Sequence, residues 1–317
     1  MSSPIRGVHA LYDPTLAKAD VERLFGEQLR VGAEIVAECS NLLLRAFQSS
    51  EARLVDIVAL GHFYRALVVA ADGCLICLQS GAAEQALLHT RKAFEAGLQL
   101  QWLLRSDSDS RARRFYTWHL REERSWYLRA IPGSVEHEEH KKAWEAQGDA
   151  GPPLDPIENQ SLVDEINNVL AKEDYREANA LFDAAREAKS NKGRRPTDPL
   201  WFSVGDGAQP TLAALATSIG RRTDYRTTYR YLSYATHSSS LASSARIRDA
   251  VIRIEHVRIP RHFSTAFIFA FAEWLHRSLE ICEMYRPGEG VAFATRLRDQ
   301  WFKHIKAWYN VEMGESS

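Results

Sequence analysis

The placement of proline constrains this chain more than any other feature. No proline occurs between Pro14 and Pro132, and none between Pro210 and Pro260. Proline costs about 3 kcal/mol inside a helix, because it lacks the N–H and its ring clashes with the preceding turn. Stretches of this length without it permit long helices. The residues that fill them are mostly helix formers, and period-two alternation of β-branched side chains is scarce. The expectation is an all-α fold: a bundle of long antiparallel helices joined by short connections.

The first helix is expected from Asp13-Pro14, an N-cap followed by proline at the first helical position, to about Phe47. The second carries Leu54, Ile57, Leu60, Phe63, Leu67 and Leu75 and ends or bends at Ser80-Gly81. A third runs from about Ala82 to Leu104, and a fourth from about Arg111 to Ile131. The middle differs. GPPLDP, NKGRRPTDP and GDGAQP are turn-rich breaks around two acidic helices, roughly Asn159–Lys172 and Tyr175–Ala188. Residues 133–210 therefore read as an acidic, loop-rich helical insertion with too few apolar residues for a core of its own. After it, helices are expected over Thr211–Gly220, Asp224–Val257 and Pro260–Tyr285, and a last one ending near Tyr309. The whole chain, residues 1–317, reads as a single helical domain whose tail, 311–317, frays.

Charge is balanced overall, at a formal −1, but unevenly placed. From Arg221 to Arg261 nine arginines face Asp224, Asp249 and Glu255, whereas Ser134–Ser190 holds fourteen acids against six Lys or Arg. The split fits a basic region that meets a phosphate or a partner, or two parts of the fold that attract each other. Four cysteines are too few for a disulfide framework. Cys74-Leu-Ile-Cys77 lies mid-helix beside apolar residues, which suits buried thiols better than a redox or zinc site. His137-Glu-Glu-His140 sits in a charged run and is expected to face solvent. No metal and no cofactor is expected, since no metal-ligand spacing, phosphate loop or nucleophile elbow occurs. The N-terminus lacks an apolar signal region, and FSTAFIFAFAEWLH is shorter than the roughly 20 residues of a membrane span. A cytoplasmic protein without a membrane partner is expected. Trp102, Trp118, Trp126, Trp274, Trp301 and Trp308 sit at helical spacings and read as core or interface anchors.

Chemistry concentrates in YRTTYRYLSYATHSSS, residues 225–240. Arg226, Arg230, Ser233 and His237 follow at steps of four, three and four, which brings them to one face of an α-helix. Two guanidiniums can hold a phosphate by paired N–H bonds, and an imidazole can shuttle a proton near neutral pH, so no metal is needed. Arg230 and His237, with six residues between them, resemble the Arg-x(4–6)-His pattern of the HEPN ribonucleases. That resemblance implies a helical bundle, usually dimeric, in which Arg230 and His237 are catalytic and RNA is the substrate. Arg226, Ser233 and Tyr229 would then contact the substrate.

In a second constellation, Arg91 and Glu95 stand one turn apart in a strongly apolar helix. A half-buried ion pair there needs further hydrogen bonds, and a tyrosine of the 225–229 segment could supply them. Leu88, Arg91 and Glu95, the aromatic and basic Arg114, Phe115 and Tyr116, Trp201, and then Tyr225, Tyr229, Ser233 and His237 together resemble a bacterial family of all-helical proteins of unknown function. The resemblance covers about Gly61–Ser244. Ser238 departs from the glycine that often follows the histidine in that family. Three readings stay open. The first is a metal-independent ribonuclease or toxin of stress or phage defence. The second is a non-enzymatic binding or assembly module with a homodimer or protein partner. The third is a small-molecule site lined by Arg91, Glu95 and tyrosines.

Overall fold

The computed structural model describes residues 14–149, 154–190, 197–236, 245–248, 251–254 and 263–302. The fold is an all-α bundle with one short hairpin. The chain groups into two compact units, Met1–Trp102 with Ala216–Ser317, and Leu103–Leu215.

In chain order the helices are α1 (Pro14–Ser49), α2 (Leu54–Asp56), α3 (Arg65–Gln79), α4 (Ala83–Arg105) and α5 (Ser108–Leu128). They continue with α6 (Val135–Glu145), α7 (Pro156–Leu170), α8 (Glu173–Ser190), α9 (Leu212–Ser218), α10 (Arg222–Asp224) and α11 (Arg230–Thr236). The strands β1 (Ala245–Arg248) and β2 (Val251–Ile254) precede α12 (Phe263–Tyr285) and α13 (Gly290–Arg296). A π-helical stretch, Ile57–Tyr64, joins α2 to α3, so Leu54–Gln79 is one rod. A second π-helical stretch, Tyr225–Tyr229, joins α10 to α11. A third, Leu297–Trp301, extends α13.

The first unit builds its core where α1, α3 and α12 pack on one another. Leu67 and Leu78 of α3, Ile35 and Leu42 of α1, and Phe267, Phe271 and Trp274 of α12 are fully buried. Aromatic stacking runs along α12. Phe25 lies on Phe263 with ring centres 4.0 Å apart, and Phe267 lies on Phe271 at the same separation. Gly32 makes room for this. A Cβ there would stand 2.9 Å from Phe267 Cε2, closer than carbon atoms pack. Two polar groups in the core are hydrogen-bonded across helices: Tyr64 shares a 2.7 Å hydrogen bond with Ser278, and the Thr90 hydroxyl donates to Ala266 O at 3.1 Å.

The second unit is built on α5, against which α7 and α8 pack. Leu120 meets Ile166 and Leu170, with Tyr116, Tyr127 and Val169 at the edge. Phe115 sits edge-on to Trp201 at 5.3 Å. Residues 133–210 thus do take part in a core, because α5 supplies the apolar face that the segment lacks alone. Its helices begin at local signals. The Ser134 hydroxyl caps α6 by accepting from His137 N at 3.0 Å, and the Asp155 carboxylate caps α7 ahead of Pro156.

One departure from the sequence reading has a local cause. Where a helix is expected through Val257, the described residues are helical as far as Thr236, and the strands Ala245–Arg248 and Val251–Ile254 pair antiparallel, with Ala245 opposite Ile254 and Arg248 opposite Val251. Ile247, Val251, Ile252 and Ile254 are β-branched and favour strand over helix. Trp126 is 63% exposed instead of anchoring a core. Trp308, the end of the last helix and the tail 311–317 lie outside the described residues. Among the described residues one helix, Leu54–Gln79, is long and apolar enough to cross a membrane, and 56% of its 18-residue apolar window is buried within the protein.

Candidate functional site

Residues 222–236 carry the basic motif on two sides of one helical segment. Arg222, Arg226 and Arg230 are exposed, with Thr223 and Thr227 beside them. Among the described residues none of these three arginines enters an ion pair. Tyr225, Tyr229 and Ser233 are half-buried. The two tyrosine rings stack at 4.6 Å, and the Ser233 hydroxyl donates back to Tyr229 O at 2.8 Å. The turn Tyr225–Tyr229 is π-helical, a distortion of the helix ladder found frequently at functional sites.

The half-buried side is tied to α4. Arg91 donates from Nε to Glu95 Oε1 at 2.9 Å and from Nη2 to the Tyr229 hydroxyl at 2.7 Å. Its guanidinium carbon also stands 4.9 Å from the centre of the Tyr229 ring. Burial and the nearby Glu95 carboxylate push the Tyr229 hydroxyl above its ordinary pKa, while Arg91 pulls the other way. Tyr229 is therefore a neutral phenol at physiological pH that can accept from Arg91. This is the hydrogen-bonded tether that the Arg91–Glu95 spacing suggests.

A second tie precedes the arginine line. Arg221 grips Glu273 of α12 by two hydrogen bonds, Nη1 to Oε1 at 2.8 Å and Nη2 to Oε2 at 2.6 Å. Its Nε donates to Asp224 at 2.9 Å. Glu273 is only 5% exposed. Arg277 stands 3.4 Å from the same carboxylate and donates to both oxygens of Glu280 at 2.7–2.8 Å. Burial lowers the Arg277 pKa, partly offset by Glu273 and Glu280, and burial raises that of Glu280. Gly97 of α4 faces this cluster. A Cβ at that position would lie 2.7 Å from Glu273 Cδ.

The structure thus brings Arg226 and Arg230 into one exposed line and joins Arg91, Glu95 and Tyr229 in one bonded group. Ser233 goes with the tyrosines on the half-buried side. His237 lies outside the described residues. Arg222, Arg221, Glu273 and Gly97 escaped the sequence reading. A glycine inside an otherwise strong helix pattern is the signal that could have found the last. His137 does not face solvent freely: its Nδ1 sits 2.9 Å from Arg129 O, and His140 Nε2 accepts from Trp144 at 3.1 Å. Cys74 is buried and Cys77 half-buried, and neither is in a disulfide bond. Among the described residues no group of three or more His, Cys, Asp or Glu is placed to hold a metal ion.

No curated protein and no solved structure matches the chain. A family model does, over residues 56–250, more than half of the chain and a span that includes the Arg91–Glu95 pair, the tyrosine tether and the arginine line. On that match the chain belongs to the family of unknown function DUF5677.

Proposed function

We propose that this protein binds an RNA strand by its phosphates along Arg222, Arg226 and Arg230, and that Arg230 and His237 cleave it without a metal. One observation carries the reading: three exposed guanidiniums recur at steps of four residues, with no carboxylate paired to any of them among the described residues. Arginines elsewhere in this chain, such as Arg45, Arg121 and Arg221, are tied to acids. An unpaired row is the arrangement that a polyanion completes, and each planar guanidinium can offer a phosphate two parallel N–H bonds. The Arg91–Tyr229 and Arg221–Glu273 ties hold the segment from its other side, which pre-organises the row and lowers the ordering cost of binding. The hairpin register pairs Arg246 with Arg253, two further basic positions downstream in the same stretch. In this reading Arg230 steadies the scissile phosphate, and His237, which follows α11 directly in sequence, serves as the general acid or base.

Fluorescence anisotropy with a labelled single-stranded RNA tests the binding half. Arg226→Ala and Arg230→Ala should each weaken affinity for all sequences alike, and each should flatten the salt dependence by about 0.7 in log–log slope. Gel analysis of the same RNA tests the chemistry: His237→Ala should abolish cleavage and leave binding within about twofold, a change below 0.5 kcal/mol. Binding that persists unchanged in Arg226→Ala/Arg230→Ala would refute the proposal. Binding without cleavage in the wild-type chain would leave the arginine row to a non-enzymatic binding module.

A further inference from the structure

We propose that the second unit contains a separate binding cleft for a small oxyanion, a phosphate or carboxylate group, held by Arg124 and Arg129. The cleft lies among α5, α6 and α8 and encloses about 250 Å³. It adjoins a second hollow of about 480 Å³, with which it shares Ser125, Arg129, Glu136 and Glu139. At roughly 30 Å³ per water, the smaller volume alone admits a ligand several times the size of water.

The charges around this cleft are not equally used. Asp198 is taken up by Arg121, which donates to its two oxygens at 2.7 and 3.0 Å. Arg121 spends its remaining donor, Nη1, on Asn179 at 2.6 Å and Asp183 at 2.8 Å. Glu136 stands 3.8 Å from Arg186. Arg124 has no such partner. Its Nη1 donates to a neutral amide, Asn167 Oδ1 at 3.1 Å, and its Nε is buried and bonded to nothing among the described residues. Burial, and then the like charge of Arg121, depress the Arg124 pKa, partly offset by Asp198 and Asp183, yet a guanidinium does not give up its proton near neutral pH. Arg124 is thus a half-buried cation with no carboxylate bonded to it among the described residues, and an anion in the cleft would supply that partner through its outer nitrogens. Arg129, on the same wall, forms no ion pair among the described residues. Its guanidinium carbon lies 4.2 Å from the centre of the exposed Trp126 ring. Both side chains line the cleft, Arg124 from α5 and Arg129 from the residue that caps its C-terminal end, and together they offer guanidinium N–H groups to the oxygens of a phosphate or carboxylate. Nothing in this inference draws on the arginine row of residues 222–230.

Isothermal titration calorimetry of the full chain tests it, with inorganic phosphate and malonate as separate probes. One site per chain should saturate with at least one of them, and which one responds tells phosphate from carboxylate recognition. Arg124→Gln should weaken that binding at least tenfold, and Arg129→Gln several-fold. Arg113→Gln, on the exposed side of α5, should leave it unchanged. Arg129 is half-exposed and beyond its contact with the exposed Trp126 ring forms no ion pair among the described residues, so its variant keeps the test decisive even if circular dichroism shows that Arg124→Gln does not fold. Absence of saturable heat up to about 10 mM of both probes overturns the inference. So does equal binding by wild type and Arg129→Gln, or an equal loss in Arg113→Gln.

Discussion

Gly97 shows how one missing methyl group can permit a charged cluster inside a bundle. Replacing glycine by alanine within a helix ordinarily gains about 1 kcal/mol through propensity and reduced freedom of the unfolded chain. Here the new Cβ would meet the Glu273 carboxylate, which is gripped by Arg221 and neighboured by Arg277. Overpacking costs typically 1–3 kcal/mol, and breaking a buried pair from one side about 3–5 kcal/mol. The second pair of effects wins. Gly97→Ala should therefore destabilise the protein by about 1–3 kcal/mol in urea unfolding, the opposite sign to an ordinary helix-interior substitution. A stabilised Gly97→Ala variant would show that the cluster can move aside at no cost. The arginines of this cluster and those of the 222–230 row look alike in the sequence. Partners separate them: Arg221 ends on a buried carboxylate 52 residues away, and Arg226 ends in solvent.

Among the elements, the segment 222–236 matters because its two sides do different work. The half-buried side holds the helix to α4 through Arg91, Glu95 and Tyr229, and the exposed side offers the arginines. Tyr229→Phe keeps the ring and its stacking on Tyr225 but removes the hydroxyl that accepts from Arg91. A net hydrogen bond to a charged group contributes roughly 1.5–3 kcal/mol, and less where solvent reaches it, so a loss of about 1 kcal/mol is expected. RNA affinity in the same variant should stay within about twofold, since the phenol faces the tether. A large loss of affinity with unchanged stability would move Tyr229 from tether to ligand contact. The Leu88–Arg91–Glu95 and Tyr225–Tyr229 patterns were legible because both recur at helical spacing. The π-helical turn between α10 and α11 was not, since no residue type marks where a ladder widens by one residue. The hairpin was within reach of the sequence: Ile247, Val251, Ile252 and Ile254 are strand formers, outweighed in the reading by the helical pattern before them.

Over the whole molecule, burial leaves a pH signature. Cys39 and Cys74 are pushed up to about 12 and Cys282 to about 11, in each case by burial first, from an ordinary thiol value of 9.0. Burial also raises Tyr64 and Tyr285, the latter with Asp56 beside it. Each group keeps its proton in the folded state to a higher pH than in the unfolded chain. Below pH 9.0 both states hold the thiol protons, and this contribution to stability is fully present. Above it the unfolded chain releases protons that the folded chain retains, so stability falls as pH rises toward the folded values. Urea midpoints should therefore decline steadily from about pH 9 to about pH 11, and a flat profile over that range would contradict the buried placement of the thiols. At neutral pH Cys39 and Cys74 should resist alkylation until the protein unfolds.

The sequence by itself determined the all-α class, the start of α1 at Pro14, and the Arg91–Glu95 pair with a tyrosine to complete it. These rest on proline geometry, capping and helical period, which act within a few residues. Tertiary structure alone decided which arginines are sealed by carboxylates and which stay open, that α5 gives residues 133–210 a core, and that Glu273 is buried beside Gly97. The physical reason is distance along the chain. Burial and ion pairing join Arg91 to Tyr229 across 138 residues and Arg45 to Glu289 across 244, and no local pattern specifies a partner that far away.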